Sequence, residues 1–176
     1  MTLDQIIQVW VAVGTWVSSI GTIAAVITAL YMVKRVENVH LSVQVGLMHI
    51  VIGDGSPFQE HMGINVTNLG ERPVTINSVG WAIGKGKKRS FAIQPLYSPH
   101  SAHYPIELAY GKSANFLVSF DLYPDWIKEF ATGFVKDLSD KSLKTLVAQV
   151  HTSVGKTVEV HPRKDLLDAL KLSICK

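Results

Sequence analysis

The run IIQVWVAVGTWVSSIGTIAAVITALYMV, from Ile6 to Val33, carries no charged side chain. Asp4 is the last charge before it, and Lys34-Arg35 are the first after it. The hydrocarbon core of a bilayer, about 30 Å thick, is crossed by roughly 20 apolar residues in a helix. At about 1.5 Å of rise per residue this run reaches roughly 40 Å, enough to span with tilt. A cleaved leader needs a positive amino-terminal region and a short apolar core. Residues Met1 to Gln5 hold no Lys or Arg, and the apolar run is long. The reading is a retained single-pass anchor. Residues 1–5 form a short extracytoplasmic end, 6–33 the transmembrane helix, 34–40 a juxtamembrane linker, and 41–176 a separate domain.

Lys34 and Arg35 set the expected orientation, because cationic flanks stay on the cytoplasmic side. The chain then sits in a cell inner membrane with its C-terminal domain in the cytoplasm. Cys175 is the only cysteine, so no internal disulfide forms, which agrees with a reducing compartment.

Small residues recur along the anchor. Gly14, Ser18, Gly21, Ala25 and Thr28 fall at spacings of four, three, four and three, and so line one helix face. Small faces let helix backbones approach closely, and hydroxyls bond across such contacts. Three readings stay open at this point: the ordinary composition of a spanning helix, a homo-oligomer seam, and a water-lined pore. Trp10 and Tyr31 suit the two interfaces.

The remainder reads as one domain by length and as mostly β by pattern. Leu41 to Val45 alternates with period two and stays apolar through Ile52. Gly53-Asp54-Gly55-Ser56-Pro57 is a turn cluster. Met62 to Thr67 is a strand, with a turn at Asn68-Leu69-Gly70. Val74 to Ile83 is a long strand with an expected bulge at Gly80. Gly84 to Lys87 reads as a hairpin tip and Arg89 to Ile93 as the returning strand. A proline-bearing loop follows, then a strand over Ser113 to Phe120. Pro124 to Asp137 has helical spacing, with Trp126, Ile127, Phe130, Phe134 and Val135 near one face. Leu143 to His151 and Lys156 to Val160 pair as a hairpin, and Asp165 to Leu172 closes as a short helix.

Short strands at regular spacing with turn signals predict a β-sandwich. The expected fold class is mainly β: an immunoglobulin-like sandwich with one or two short helices, preceded by one transmembrane α-helix. The anchor segment Trp16 to Val26, the stretch Val66 to Ile76, the turn and strand Gly111 to Phe116, and the late Val150 to Val158 carry a resemblance. Over most of its length the chain resembles small bacterial and phage single-pass membrane proteins of unassigned function with an immunoglobulin-like domain. Some proteins of similar design are membrane effectors in antiviral (phage) defence, including ones gated by cyclic oligonucleotides. The shared motifs are structural and bring no catalytic residues with them.

Sites of chemistry are few. Gly111-Lys112-Ser113 and Gly155-Lys156-Thr157 lack the earlier glycine of a phosphate loop: Ile106 and Val150 stand there. Arg35 and His40 match an Arg-x4-His ribonuclease spacing, but a membrane-flanking arginine explains the pair better. Seven histidines are scattered, and only His100 and His103 are close. Two without a third nearby ligand make a weak zinc signal, and a polar loop is the favoured reading. The basic run Lys85, Lys87, Lys88 and Arg89 is the most suggestive patch, able to grip phosphates or lipid headgroups or simply to solubilise a turn. With a formal charge of +3, the chain is too weakly basic for duplex nucleic acid.

The functional expectation is therefore non-enzymatic, with no cofactor and no metal. The anchor self-associates and the cytoplasmic domain senses an anionic ligand such as a cyclic oligonucleotide, through Lys85, Lys87, Lys88, Arg89, His100 and His103. A membrane-disrupting effector or accessory is one form of this. The alternative is a passive anchored adaptor that docks a cytoplasmic protein.

Overall fold

The computed structural model describes residues 3–51, 58–137 and 139–173; the side chains of 35–37 are outside that description. The expected turn at Gly53 to Pro57, the guanidinium of Arg35 and the thiol of Cys175 therefore lie outside the described residues. The chain divides into two compact units, Met1–Asn38 and Val39–Lys176.

The first unit is one helix, α1 (Leu3–Glu37). It is long and apolar enough to cross a membrane over Leu3–Lys34, and none of that span is buried within the protein. Four of its hydroxyls turn inward to the helix itself. Thr15, Ser19, Thr22 and Thr28 each donate to the carbonyl four residues back, on Val11, Thr15, Ser18 and Ala24, at 2.8–2.9 Å. That bond satisfies a hydroxyl with neither water nor a partner helix needed.

Among the described residues the second unit carries eight strands: β1 (Leu41–Ile50), β2 (Gln59–Asn68), β3 (Val74–Ile83), β4 (Ser90–Ile93), β5 (Ile106–Leu108), β6 (Ser113–Ser119), β7 (Val147–Thr152) and β8 (Thr157–Val160). They form two antiparallel sheets. One has the order β1-β2-β6; the other runs β4-β3-β7-β8, with β5 also pairing β3. Ile76 faces both Ile106 and Thr152, while Gly80 faces both Ile93 and Gln149. So β4 and β5 share the edge of β3 opposite β7. Met62, Ile64 and Val66 of the first sheet and Ile76, Trp81 and Val150 of the second belong to one buried cluster. Alternation along each strand supplies that cluster: every second side chain points inward.

Three expectations shift. The irregularity in β3 lies between Ile76 and Ser78, not at Gly80. Gly80 is needed for a different reason: a Cβ there would sit 2.5 Å from the Ala92 carbonyl oxygen. Leu143 belongs to α3 (Asp140–Leu143), a short helix capped by Ser139, whose hydroxyl accepts from Ser142 N. The expected helix after Pro124 is α2 (Trp126–Glu129) followed by a wider π-helical stretch, Phe130–Val135. Lys136 N donates to Ala131 O at 2.8 Å, a five-residue step that closes the wide turn. The last helix is α4 (Lys164–Leu172), with Leu166 and Leu170 buried. There are thus more helical pieces than the one or two expected.

Asn68 shows how a turn residue becomes a buried organiser. Its side chain donates to the Arg72 and Leu108 carbonyls at 2.8 and 2.9 Å and accepts from Gly70 N at 2.9 Å. A buried amide with all these bonds made ties β2 to the β5 strand.

Candidate binding site

The β3–β4 hairpin tip is built on two glycines with positive φ, Gly84 at 93° and Gly86 at 55°. Gly86–Lys88 forms a single 3-10 turn. Lys85, Lys87 and Lys88 project from it, exposed, and none has an ion-pair partner among the described residues. Arg89 does not join them. Its Nη2 donates to Glu159 Oε1 of β8 at 2.7 Å, and its guanidinium lies 5.3 Å over the Phe91 ring. Gln149 donates to the same carboxylate oxygen at 2.8 Å. The Arg89 bond first, and the Gln149 bond second, hold the Glu159 carboxyl below its usual range.

The two histidines stand elsewhere. Their loop runs beside β6: Ser119 N donates to Tyr97 O and Ala102 N to Asn115 O, both at 2.8 Å, and Leu117 N to Ser101 Oγ at 3.0 Å. His100 and His103 are exposed there, against the first sheet, while the lysine tip belongs to the second. Among the described residues no three His, Cys, Asp or Glu side chains group as metal ligands. His61, by contrast, is fully buried, with its ring nitrogens near Gln59 O (3.1 Å) and Ser98 Oγ (3.2 Å). It is a satisfied core residue.

A feature that charge patterning does not reveal lies next to the tip. β4 is an edge strand, and its large side chains are bare: Phe91 is 64% exposed and Ile93 75%. Gln94 N donates inward to Val79 O at 3.0 Å. Antiparallel alternation then turns the N–H and C=O of Phe91 and Ile93 outward, away from β3. Beside this edge runs a groove of about 240 Å³ between β4 and the α2/π-helical segment. Tyr97, Tyr123, Trp126, Phe130 and Phe134 line it, with the Glu129 carboxylate at its rim.

The groove is held by aromatic packing. Trp126 stacks on Phe130 at 4.9 Å, Trp81 meets Phe130 at 4.9 Å, and Tyr97 meets Tyr123 at 5.4 Å. Trp81 Nε1 donates to the buried Gln94 Oε1 at 2.7 Å, and Gln94 Nε2 donates to Pro95 O at 2.7 Å. Tyr123 OH donates to Glu129, and this bond, followed by burial, raises the phenol's pKa. The sequence signal for the groove is faint: the helical aromatic spacing is visible, but its partners at 92–97 sit in a loop-like stretch.

A second hollow, about 430 Å³, opens between α3 and α4, lined by Leu143, Lys144, His161, Leu167 and Lys171. Lys171 is already engaged by Asp140 at 2.7 Å, which lowers the Asp140 pKa and raises that of Lys171.

No known protein family and no curated protein matches this chain. Solved structures similar to it include two distant ones. One is a Bordetella pertussis crystal structure provisionally named ApaA, at 13% identity and TM-score 0.33, covering 71% of this chain and 89% of that one. The other is the structural-genomics target SoR45, at 10% identity and TM-score 0.31, covering 71% and 82%. At these scores neither likeness bears on fold or function.

Proposed function

We propose that the chain is a membrane-anchored, non-enzymatic binding protein whose β domain docks a protein partner through the β4 face. The observation that carries this is the bare edge of β4, unpaired among the described residues, beside an aromatic groove. Large exposed apolar patches rimmed by polar groups mark interaction surfaces. The two-sheet unit is read as an immunoglobulin-like sandwich. α1 holds it at an inner membrane, and Lys34 and Arg35 favour a cytoplasmic placement. The stripe Gly14, Ser18, Gly21, Ala25 and Thr28 is the face through which anchors self-associate.

Site-specific photo-crosslinking in cells tests the docking face. A photoreactive residue at position 91 gives protein adducts, and one at the exposed Lys112 of a distant turn does not. Equal labelling at both positions, or none at 91, overturns the reading.

A second reading draws on the three lysines that have no ion-pair partner among the described residues. There the tip receives an anionic ligand such as a cyclic oligonucleotide, and anchor self-association perturbs the bilayer, as in a phage-defence effector. Arg89 is engaged by Glu159 and the histidines lie on the other sheet, so the tip acts with Lys85, Lys87 and Lys88 alone. Ligand-dependent dye release from liposomes carrying the protein supports this reading; intact liposomes at saturating ligand overturn it.

A further inference from the structure

Resting on the docking role of the β4 face, we infer that the partner binds by strand addition. An extended peptide segment pairs with β4, placing acidic residues beside Lys85, Lys87 and Lys88 and alternate apolar side chains into the aromatic groove.

The backbone comes first. Phe91 and Ile93 each present an outward N–H and C=O, so β4 offers a short row of donors and acceptors to an incoming strand. An extended peptide meets such a row with main-chain bonds, and pockets for alternate side chains supply selectivity. Here the two faces of the added strand meet different surroundings. Side chains on one face lie beside Phe91 and Ile93 on the outer surface of the sheet. There a shallow hollow opens between Phe91, Ile93, Gln149 and His151. Side chains on the other face enter the groove between Tyr97, Tyr123 and Phe134. At about 240 Å³ the groove is smaller than the roughly 300–1,000 Å³ of small-molecule sites and suits one large apolar side chain.

Charge sets the composition of the occupant. Natural edge strands are guarded by lysines and prolines that discourage indiscriminate pairing. β4 has this guard at both ends, with the lysine tip before it and Pro95 after it. The guard leaves a window a few residues long. A segment entering it must bring negative charge to Lys85, Lys87 and Lys88 or leave three cations facing its flank. An acidic flank is therefore the complement, and a basic one is excluded by like-charge repulsion. A second copy of this chain pairing β4 to β4 supplies no acidic flank in either direction, because neither Gly84–Ser90 before the strand nor Gln94–His100 after it holds an Asp or Glu. An anionic lipid surface satisfies the lysines, but it leaves the outward amides unpaired and meets the Glu129 carboxylate at the groove rim. The peptide uses all three features.

The test is an array of synthetic octapeptides probed with the full chain in neutral-lipid nanodiscs. It carries acidic-flanked alternating apolar sequences, the same sequences with Lys flanks, and the acidic set interrupted by a central Pro. The expected result is retention on the first set, with at least tenfold weaker binding to the other two. Ile93→Pro removes the outward N–H together with the exposed side chain and leaves the bonds to β3 in place; Ile93→Ala, which removes the side chain alone, is the control and keeps most of the binding. The proline variant keeps its melting temperature and loses the acidic set by tenfold or more. Replacing Lys85, Lys87 and Lys88 together with Glu moves preference to the Lys-flanked set. Binding to no set, equal binding to all sets, or unchanged binding by Ile93→Pro overturns strand addition. Any of these leaves the docking role standing if position 91 still crosslinks to protein. Crosslinking of position 91 to lipid in phosphatidylserine nanodiscs, with no peptide competition, overturns it in favour of a membrane-facing patch.

Discussion

The indole Nε1 of Trp81 donates to the side-chain oxygen of Gln94 across 2.7 Å, and both residues are buried. This bond joins the centre of β3 to the segment that leaves β4, and so fixes the floor of the aromatic groove. Gln94→Leu leaves the indole N–H buried without an acceptor, at a cost of about 1–3 kcal/mol. Urea denaturation of the full chain in mild detergent measures it. A midpoint equal to that of the unaltered chain shows that another acceptor takes over.

Gly80 and Gly133 predict opposite outcomes for the same substitution. At Gly80 a Cβ meets the Ala92 carbonyl oxygen at 2.5 Å, and backbone does not yield as a flexible side chain does. Gly80→Ala destabilises by about 1–3 kcal/mol and releases β4. At Gly133, within the π-helical stretch, a Cβ meets nothing within 4 Å. Gly133→Ala is neutral or stabilises by up to about 1 kcal/mol, through the unfolded chain. Melting curves of the two variants side by side decide this.

Glu159 gives a pH signature. Arg89 and Gln149 hold its folded pKa below the ordinary value of 4.5. The stabilisation is present in full above that value and is lost as pH falls through the depressed folded value. The pair is partly exposed, so the contribution is about 0.5–1 kcal/mol. Glu159→Gln is therefore less stable than the unaltered chain at pH 7. The gap between their urea midpoints closes progressively below about pH 4.5. A gap independent of pH means the loss is packing, not charge.

The anchor separates small size from hydroxyl chemistry. Ser19 and Thr22 already donate to their own helix, so Ser19→Ala with Thr22→Ala leaves assembly unchanged. Under the proposed self-association, Gly14→Leu with Gly21→Leu fills the small face and lowers the oligomer order seen by native mass spectrometry in mild detergent. Loss of assembly in the alanine pair instead places hydroxyl bonding between helices.

The strands with strong alternation were legible in the sequence. β3 begins and ends at the expected residues, Val74 and Ile83, because one face of it is continuously apolar. β5, only Ile106–Leu108, was hidden in a proline-rich stretch where three residues carry no period. The helix from Asp140 was hidden by Leu143, an apolar residue that reads equally well as the start of the following strand. Of the candidate site, the lysine tip was legible as charge between glycines. Nothing local shows that Arg89 turns away from it to reach Glu159, seventy positions on.

The sequence by itself determined the long helix with its uncharged run, the β-rich unit after it and the glycine-built tip. Each of these follows from local chemistry: hydropathy over one span, period-two alternation, and the freedom of glycine at positive φ. Only the tertiary structure decided that β4 lies at an edge, that its outward amides border an aromatic groove, and which cations remain unpaired. Those properties depend on sheet order and on contacts between residues far apart in the chain, and one strand's pattern is the same whether its neighbour is protein or water.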